Sequence, residues 1–296
     1  MDGTKRLGLA YSPWDIVPVC AGLLHLAAVI GLFLVFPALP WWAVLVAGLV
    51  YAASISWNHN SIAHNFVHIP YFAAPALNRA FSLVLSLTLG YAQSDYHYDH
   101  LRHHAGNSDR PDAGGVTLDP FSIYRFGKNG QPEPVLRYMF ASYMRDTATG
   151  PDSFMGPARQ RDRAWARLEM ACVIGLYGAM LLWDWRFIAV FLPFNYLGHS
   201  LSALNGFYEH ARGDPDQPLA WGVSSYHALY NLLWMNNGYH TEHHYRPKQH
   251  WTEMKQLHLQ LAERQRQAGV HVLRLPHPLG FLENARPETA RQRREA

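Results

Sequence analysis

Long apolar runs alternate with polar, histidine-rich stretches along this chain. Ile16 to Phe36 is almost wholly apolar, with His25 as the main interruption, and is close to the roughly 20 residues needed to cross a bilayer. Pro37 and Pro40 punctuate a tight turn. Trp41 to Trp57 is a second apolar run flanked by tryptophans, residues that favour the membrane interface. The two runs predict a transmembrane hairpin whose second helix exits at Trp57. Leu77 to Ala92 is shorter and carries Ser and Thr, which predicts a re-entrant or interfacial helix rather than a full crossing. Leu168 to Trp183 and Phe187 to Leu204, separated by Asp184, Trp185 and Arg186, predict a second hairpin, continuing past Asn205 to Glu209 and His210. Pro134 to Arg145 and Trp251 to Gln267 read as amphipathic helices outside the bilayer.

The fold class that follows is all-α: an integral membrane bundle of four transmembrane helices in two hairpins, with a short re-entrant or interfacial helix and a cytoplasmic helical cap. Residues 1–285 are expected to form one domain. Residues 286–296 are charged and lack large apolar side chains, a composition that predicts a disordered tail. No cleavable signal is expected after Lys5 and Arg6. Arg159, Arg161, Arg163 and Arg167 precede the third span, and basic residues beside a span mark the cytoplasmic side. With four crossings, every histidine-rich stretch then falls on that face, in a cell (inner) membrane.

Composition agrees with a membrane protein. Charged residues make up 16% of the chain, against roughly 25% in an ordinary soluble domain. The two cysteines, Cys20 and Cys172, lie in apolar runs, which argues against a disulfide framework or an iron–sulfur cluster. No nucleic-acid partner is expected.

The candidate chemistry lies in the histidines. His64 and His68 stand four apart; His100, His103 and His104 form an H-x2-H-H cluster, and His240, His243 and His244 repeat it. Residues three and four apart share a helix face, and imidazole suits iron, copper, zinc and nickel. Eight imidazoles exceed the four ligands of a tetrahedral zinc and suit two metal ions side by side. His210, in N-G-F-Y-E-H, is the natural ninth ligand, with His199 as its rival. His59 is a spare ligand or a supporting group, and His97 is supporting or solvent-facing. His25 reads as a buried, hydrogen-bonded histidine, and His227, His250, His258, His271 and His277 as surface residues. Asp95, Asp99, Asp109, Asp112, Glu209 and Glu242, with Asn236 and Asn237, are candidates to hold ligand imidazoles in place.

Three boxes of the form H-x3-H, H-x2-H-H and H-x2-H-H, interleaved with two hairpins from about Trp41 to Trp251, resemble the membrane fatty acid desaturase superfamily, which also contains alkane hydroxylases and carotenoid ketolases. The 32 residues from His68 to His100, and the third box H-T-E-H-H-Y-R-P, are similar to that pattern. N-G-F-Y-E-H looks like the element supplying a further iron ligand in alkane hydroxylases. The first box departs from the family in carrying Asn65 where an acidic residue often stands, and His59 in front.

The resemblance implies a di-iron centre of two iron ions held by His64, His68, His100, His103, His104, His210, His240, His243 and His244, with O2 as co-substrate and no catalytic residue beyond the ligands. It implies an oxidoreductase acting on an unactivated C–H bond of a lipid or fatty acyl chain: a desaturase first, a hydroxylase or ketolase second. H-P-L-G at 277–280 is not the H-P-G-G haem motif, so electrons are expected from a separate protein of ferredoxin or cytochrome b5 type. A reading from another class, a non-catalytic metal transporter or haem-binding membrane protein, asks for polar or paired histidines deep in the spans, where only His25 and His199 lie.

Overall fold

The computed structural model describes residues 8–107, 110, 116–145 and 156–284. Asp109, Asp112 and the tail 286–296 lie outside the described residues. The architecture is all-α, with four helices long and apolar enough to cross a membrane among the described residues: Pro13–Ala38, Trp41–His68, Gly156–Trp183 and Trp185–His210. The chain divides into two compact units, Met1–Ala203 and Leu204–Ala296.

In the first unit, a 3-10 turn, Pro13–Asp15, opens with a capping box and leads into α1 (Ile16–Val35): Ser12 Oγ accepts from the Trp14 N–H at 3.2 Å, and Asp15 Oδ2 accepts from the Ser12 N–H at 3.3 Å. A 3-10 turn, Phe36–Ala38, leads into α2 (Trp41–Asn58). The helix does not end at Trp57. It runs on through a π-turn, His59–Ala63, into α3 (His64–His68). The polar sequence there bonds back onto the helix instead of leaving it. Asn60 Nδ2 donates to the Ser56 carbonyl at 2.9 Å, Tyr71 Oη to the Ile62 carbonyl at 2.9 Å, and Gln93 Nε2 to the Ala63 carbonyl at 3.3 Å.

Helix α4 (Pro75–Leu89) has 15 residues, about 22 Å at 1.5 Å per residue, short of the roughly 30 Å hydrocarbon core. It packs against α1 and α7 (Gly156–Trp183). Gly90, with φ of 84°, ends α4 in the left-handed conformation that glycine adopts without penalty. The chain then turns into α5 (Gln93–Gly106), which also packs on α7. The amphipathic segment expected at 134–145 is α6 (Val135–Ala141) with a 3-10 turn, Ser142–Met144. Helix α8 (Trp185–His210) approaches α2 closely at Gly198, where an added Cβ would lie 2.7 Å from the Ala52 carbonyl oxygen.

The four long helices leave apolar side chains exposed; Leu24, Leu34 and Leu182 are 69%, 66% and 90% accessible. Such a surface fits lipid rather than water. Trp41, Trp42, Trp183 and Trp185, at the turn ends of the hairpins, are also exposed, as an interfacial aromatic belt requires.

The second unit contains α9 (Ala228–Leu233), α10 (His240–Tyr245) and α11 (Met254–Gln267), and ends with α12 (Phe281–Asn284). Two-residue parallel strands, β1 (Ser224–Ser225) and β2 (Val272–Leu273), tie its ends together. Leu219, Tyr239, Met254, Leu257 and Leu261 form its core, so the amphipathic face expected for residues 251–267 is buried against the third histidine box.

Candidate metal centre

The first unit brings His64, His68, His100 and His104 together, with one ring nitrogen of each within 4.8 Å of the others. The α3 pair stands on consecutive turns and the α5 pair likewise, so each helix offers both imidazoles from one face. The rings meet edge to face: His64 to His100 at 4.7 Å and His68 to His104 at 4.4 Å between centroids. His100 and His104 point Nε2 at Nε2 across 3.0 Å. Burial, reinforced by the surrounding histidines, holds the His100 imidazole well below its ordinary pKa; the neutral, lone-pair-bearing form is the one that binds a metal.

Box two is held in place by carboxylates. Glu169, fully buried in α7, accepts from Ser82 Oγ, from the Ser94 N–H at 2.9 Å and from Ser94 Oγ at 3.1 Å, placing negative charge at the N-terminus of α5. Asp95 and Asp99 pair with Arg159 at 3.3 and 3.2 Å. His103, outside the four-histidine cluster of its unit, donates from Nδ1 to Asp119 Oδ2 at 2.9 Å, and Asp119 is fully buried. That bond leaves His103 Nε2 with the lone pair. Asp119 escaped sequence reasoning because it sits 16 residues beyond its partner in an irregular loop.

His59 is turned aside by the π-turn: its Nδ1 bonds to Tyr91 Oη at 2.9 Å and its ring packs 4.7 Å from Tyr96. His199 donates from Nε2 to the Leu89 carbonyl at 2.9 Å and stacks on Tyr143 at 3.9 Å. His97 is half-buried. His25 bonds to Ser54 and Asn58, both at 2.9 Å, as a buried histidine should.

In the second unit, His210 at the end of α8 meets His240 and His244 of α10, with one ring nitrogen of each within 4.8 Å of the others. His210 and His240 again face Nε2 to Nε2 at 3.0 Å. His243 is buried, its ring 6.0 and 5.9 Å from those of His240 and His244. Glu209 Oε1 lies 3.7 Å from His240 Nδ1. Glu242, fully buried, accepts from Ser224 and Tyr226 at 2.8 Å and from His258 Nδ1 at 2.6 Å; these donors hold its carboxyl below the usual range despite burial. Asn237 bonds to Glu209, whereas Asn236 bonds to the Trp251 carbonyl.

The surface reading fails for three histidines. His277 is fully inaccessible, His250 is buried, and His258, half-buried, is committed to Glu242. His227 is exposed and His271 half-buried.

The donor set fits a metal of the imidazole-binding kind. Two ligands at about 2.1 Å from one ion, subtending a right angle, lie about 3.0 Å apart, the separation found in both Nε2 pairs. A cavity of about 900 Å³ opens in the first unit between α7 and α8, lined by Val173, Ile174, Tyr177, Ile188 and Leu192 and reaching Tyr143. Its Tyr143 wall leads through His199, His59 (6.2 Å from His199) and Tyr96 to His100, 5.4 Å beyond.

The family model described as fatty acid desaturase matches residues 39–276. No curated protein matches the chain.

Proposed function

The chain belongs to the fatty acid desaturase family, and from that premise we propose that it is a di-iron, O2-dependent desaturase of a lipid or fatty acyl chain. Family membership makes it a desaturase-type oxidoreductase, a multi-pass membrane protein with a lipid or acyl substrate. The finer reading is carried by one observation: two preformed sets of imidazoles, each with a pair of Nε2 atoms at 3.0 Å. We assign His64, His68, His100, His103, His104, His210, His240, His243 and His244 as ligands of two iron ions. Bound iron supplies the redox chemistry and O2 binding that removal of hydrogen from an unactivated C–H bond requires.

The chain's own residues provide the rest. Asp119 selects the His103 tautomer that leaves Nε2 free to coordinate, and the Glu209 carboxylate, 3.7 Å from His240 Nδ1, favours the same tautomer there through its charge. The apolar cavity between α7 and α8 takes the hydrocarbon chain from the bilayer and excludes water from it. Residues 1–285 act as one desaturase domain, with the boxes on the cytoplasmic face of the cell membrane. Electrons come from a separate ferredoxin or cytochrome b5 type protein. Arg161, Arg163 and Arg167, exposed near the start of α7, offer such a donor a basic surface.

The test is iron content of the purified chain together with mass spectrometry of lipids from expressing cells. Two irons per chain and products lighter by two hydrogens are expected, both lost in His100→Ala. Products heavier by one oxygen would replace the desaturase with a hydroxylase; a metal-free, inactive wild type would overturn the reading.

A further inference from the structure

Glu209 is held by a closed ring of side chains that belongs to no histidine box. Asn205 Nδ2 donates to Glu209 Oε1 at 2.7 Å, and Asn237 Nδ2 donates to the same oxygen at 2.6 Å. Asn237 Nδ2 also donates to Tyr230 Oη at 3.2 Å, and the Tyr230 hydroxyl donates to Asn205 Oδ1 at 2.9 Å, which closes the ring. Each hydrogen of the ring finds an acceptor: two amide hydrogens reach Glu209 Oε1, a third the phenol oxygen, and the phenol hydrogen the Asn205 amide oxygen.

His277 underlies this ring. It is fully inaccessible, and its Nε2–H donates to the Val223 carbonyl at 2.8 Å. That bond fixes the tautomer and leaves the Nδ1 lone pair facing Tyr230 Oη at 3.3 Å, as a second acceptor for the phenol hydrogen. The segment carrying His277 is itself anchored. β2 pairs with β1, Ser225 Oγ donates to the Leu275 carbonyl at 2.8 Å, and Gly280 sits where a Cβ would come within 2.6 Å of the Tyr208 ring. The family match stops at residue 276, so His277 lies just beyond it.

Across the ring, Glu209 Oε1 faces His240 Nδ1 at 3.7 Å, while His240 Nε2 points at His210. At 3.7 Å the carboxylate is beyond hydrogen-bond reach of Nδ1, and it acts through its charge, which favours the tautomer carrying the proton on Nδ1 and the lone pair on Nε2. Its effect depends on Glu209 holding one rotamer, and the amide ring sets that rotamer. We propose that Tyr230 and His277 are positioning residues for the metal centre: they lock the Asn205–Asn237–Glu209 ring that orients His240. This rests on the reading that His210, His240 and His244 bind a metal ion.

The experiment is an anaerobic cobalt(II) titration against a competing chelator, on the full-length protein in detergent, with thermal melting of the metal-free form alongside. His240→Ala should lose one bound ion. Tyr230→Phe and His277→Ala should each bind one of the two ions about tenfold more weakly, the low end for a supporting residue. His277→Gln, which keeps an N–H for Val223 and an acceptor for Tyr230, should recover to within about threefold of wild type. Wild-type affinity in both Tyr230→Phe and His277→Ala would overturn the proposal, as would a His277→Gln variant as weak as His277→Ala. If His277→Ala does not fold, Tyr230→Phe, which keeps the ring shape, decides alone. Unchanged metal content in His240→Ala would instead remove the metal reading on which the proposal stands.

Discussion

Asp119→Asn is the most discriminating single change in the first unit. Among its hydrogen bonds, the Asp119 carboxylate accepts His103 Nδ1–H on Oδ2 at 2.9 Å and the Phe121 N–H on Oδ1 at 2.8 Å. Asparagine has the same shape but only one acceptor oxygen. If that oxygen keeps Phe121, the amide NH2 faces His103 Nδ1 and forces the proton onto Nε2, the nitrogen assigned to the metal. If it keeps His103 instead, the NH2 opposes the half-buried Phe121 N–H, which costs up to about 1–3 kcal/mol. Loss of a supporting carboxylate weakens metal binding roughly 10–100-fold, or about 1.4–2.7 kcal/mol at 1.36 kcal/mol per decade. The two routes therefore cost about the same. Asp119→Ala removes both acceptors at once, so it should weaken metal binding and lower the melting temperature together. Metal titration of the three proteins, with melting temperatures of their metal-free forms, is the assay. Wild-type affinity together with a wild-type melting temperature of the metal-free form in Asp119→Asn would refute the tautomer argument.

Glu169→Ala strands the buried Ser94 N–H and two hydroxyls, and should cost roughly 2–4 kcal/mol; a wild-type melting temperature in detergent would show that the carboxylate does not anchor α5. Leu192→Trp, at the wall of the cavity between α7 and α8, should shift the product profile to shorter chains with metal content unchanged, and an unaltered profile would remove the cavity as the acyl site. Burial lowers the His277 pKa from 6.5 to about 4, so below pH 6.5 the unfolded chain takes up a proton that the native one refuses. Its stabilisation is complete above pH 6.5 and falls by up to about 3 kcal/mol as the pH drops to about 4. Melting of the metal-free protein from pH 7 to pH 4 should be steeper for wild type than for His277→Gln, and parallel curves would contradict the shift.

The spans were legible because bilayer crossing is a one-dimensional constraint: length and apolarity suffice, and both hairpins appear where the runs end. The exception is instructive. W-N-H-N-S reads as a helix leaving the membrane, yet the helix continues to His68, because Tyr71 and Gln93 bond the Ile62 and Ala63 carbonyls from outside the run. No local pattern encodes that rescue. It rests on residues 9 and 30 positions downstream. Likewise α7 begins at Gly156, 12 residues before the apolar run at Leu168; its polar first turns stay helical because Arg159 and Asp162 pair with side chains of α4 and α5.

The site divides along the same line. Ligand spacing is local, since H-x3-H and H-x2-H-H lay imidazoles along one helix face: His64, His68, His100 and His104 gather in one unit and His210, His240 and His244 in the other, while His103 and His243 stand outside the cluster of their own unit. The carboxylates that orient them obey no such rule. Glu209 and Glu242 were visible only because they neighbour box histidines, whereas Asp119, Glu169 and the wholly buried His277 are recruited through tertiary contact. This asymmetry has a physical origin. An imidazole cluster costs little to bury while neutral, but choosing which nitrogen carries the proton requires a hydrogen-bond acceptor or a negative charge held beside the ring, and only the folded chain brings one that close. A search for further site residues should therefore begin with buried carboxylates and amides rather than with more histidines.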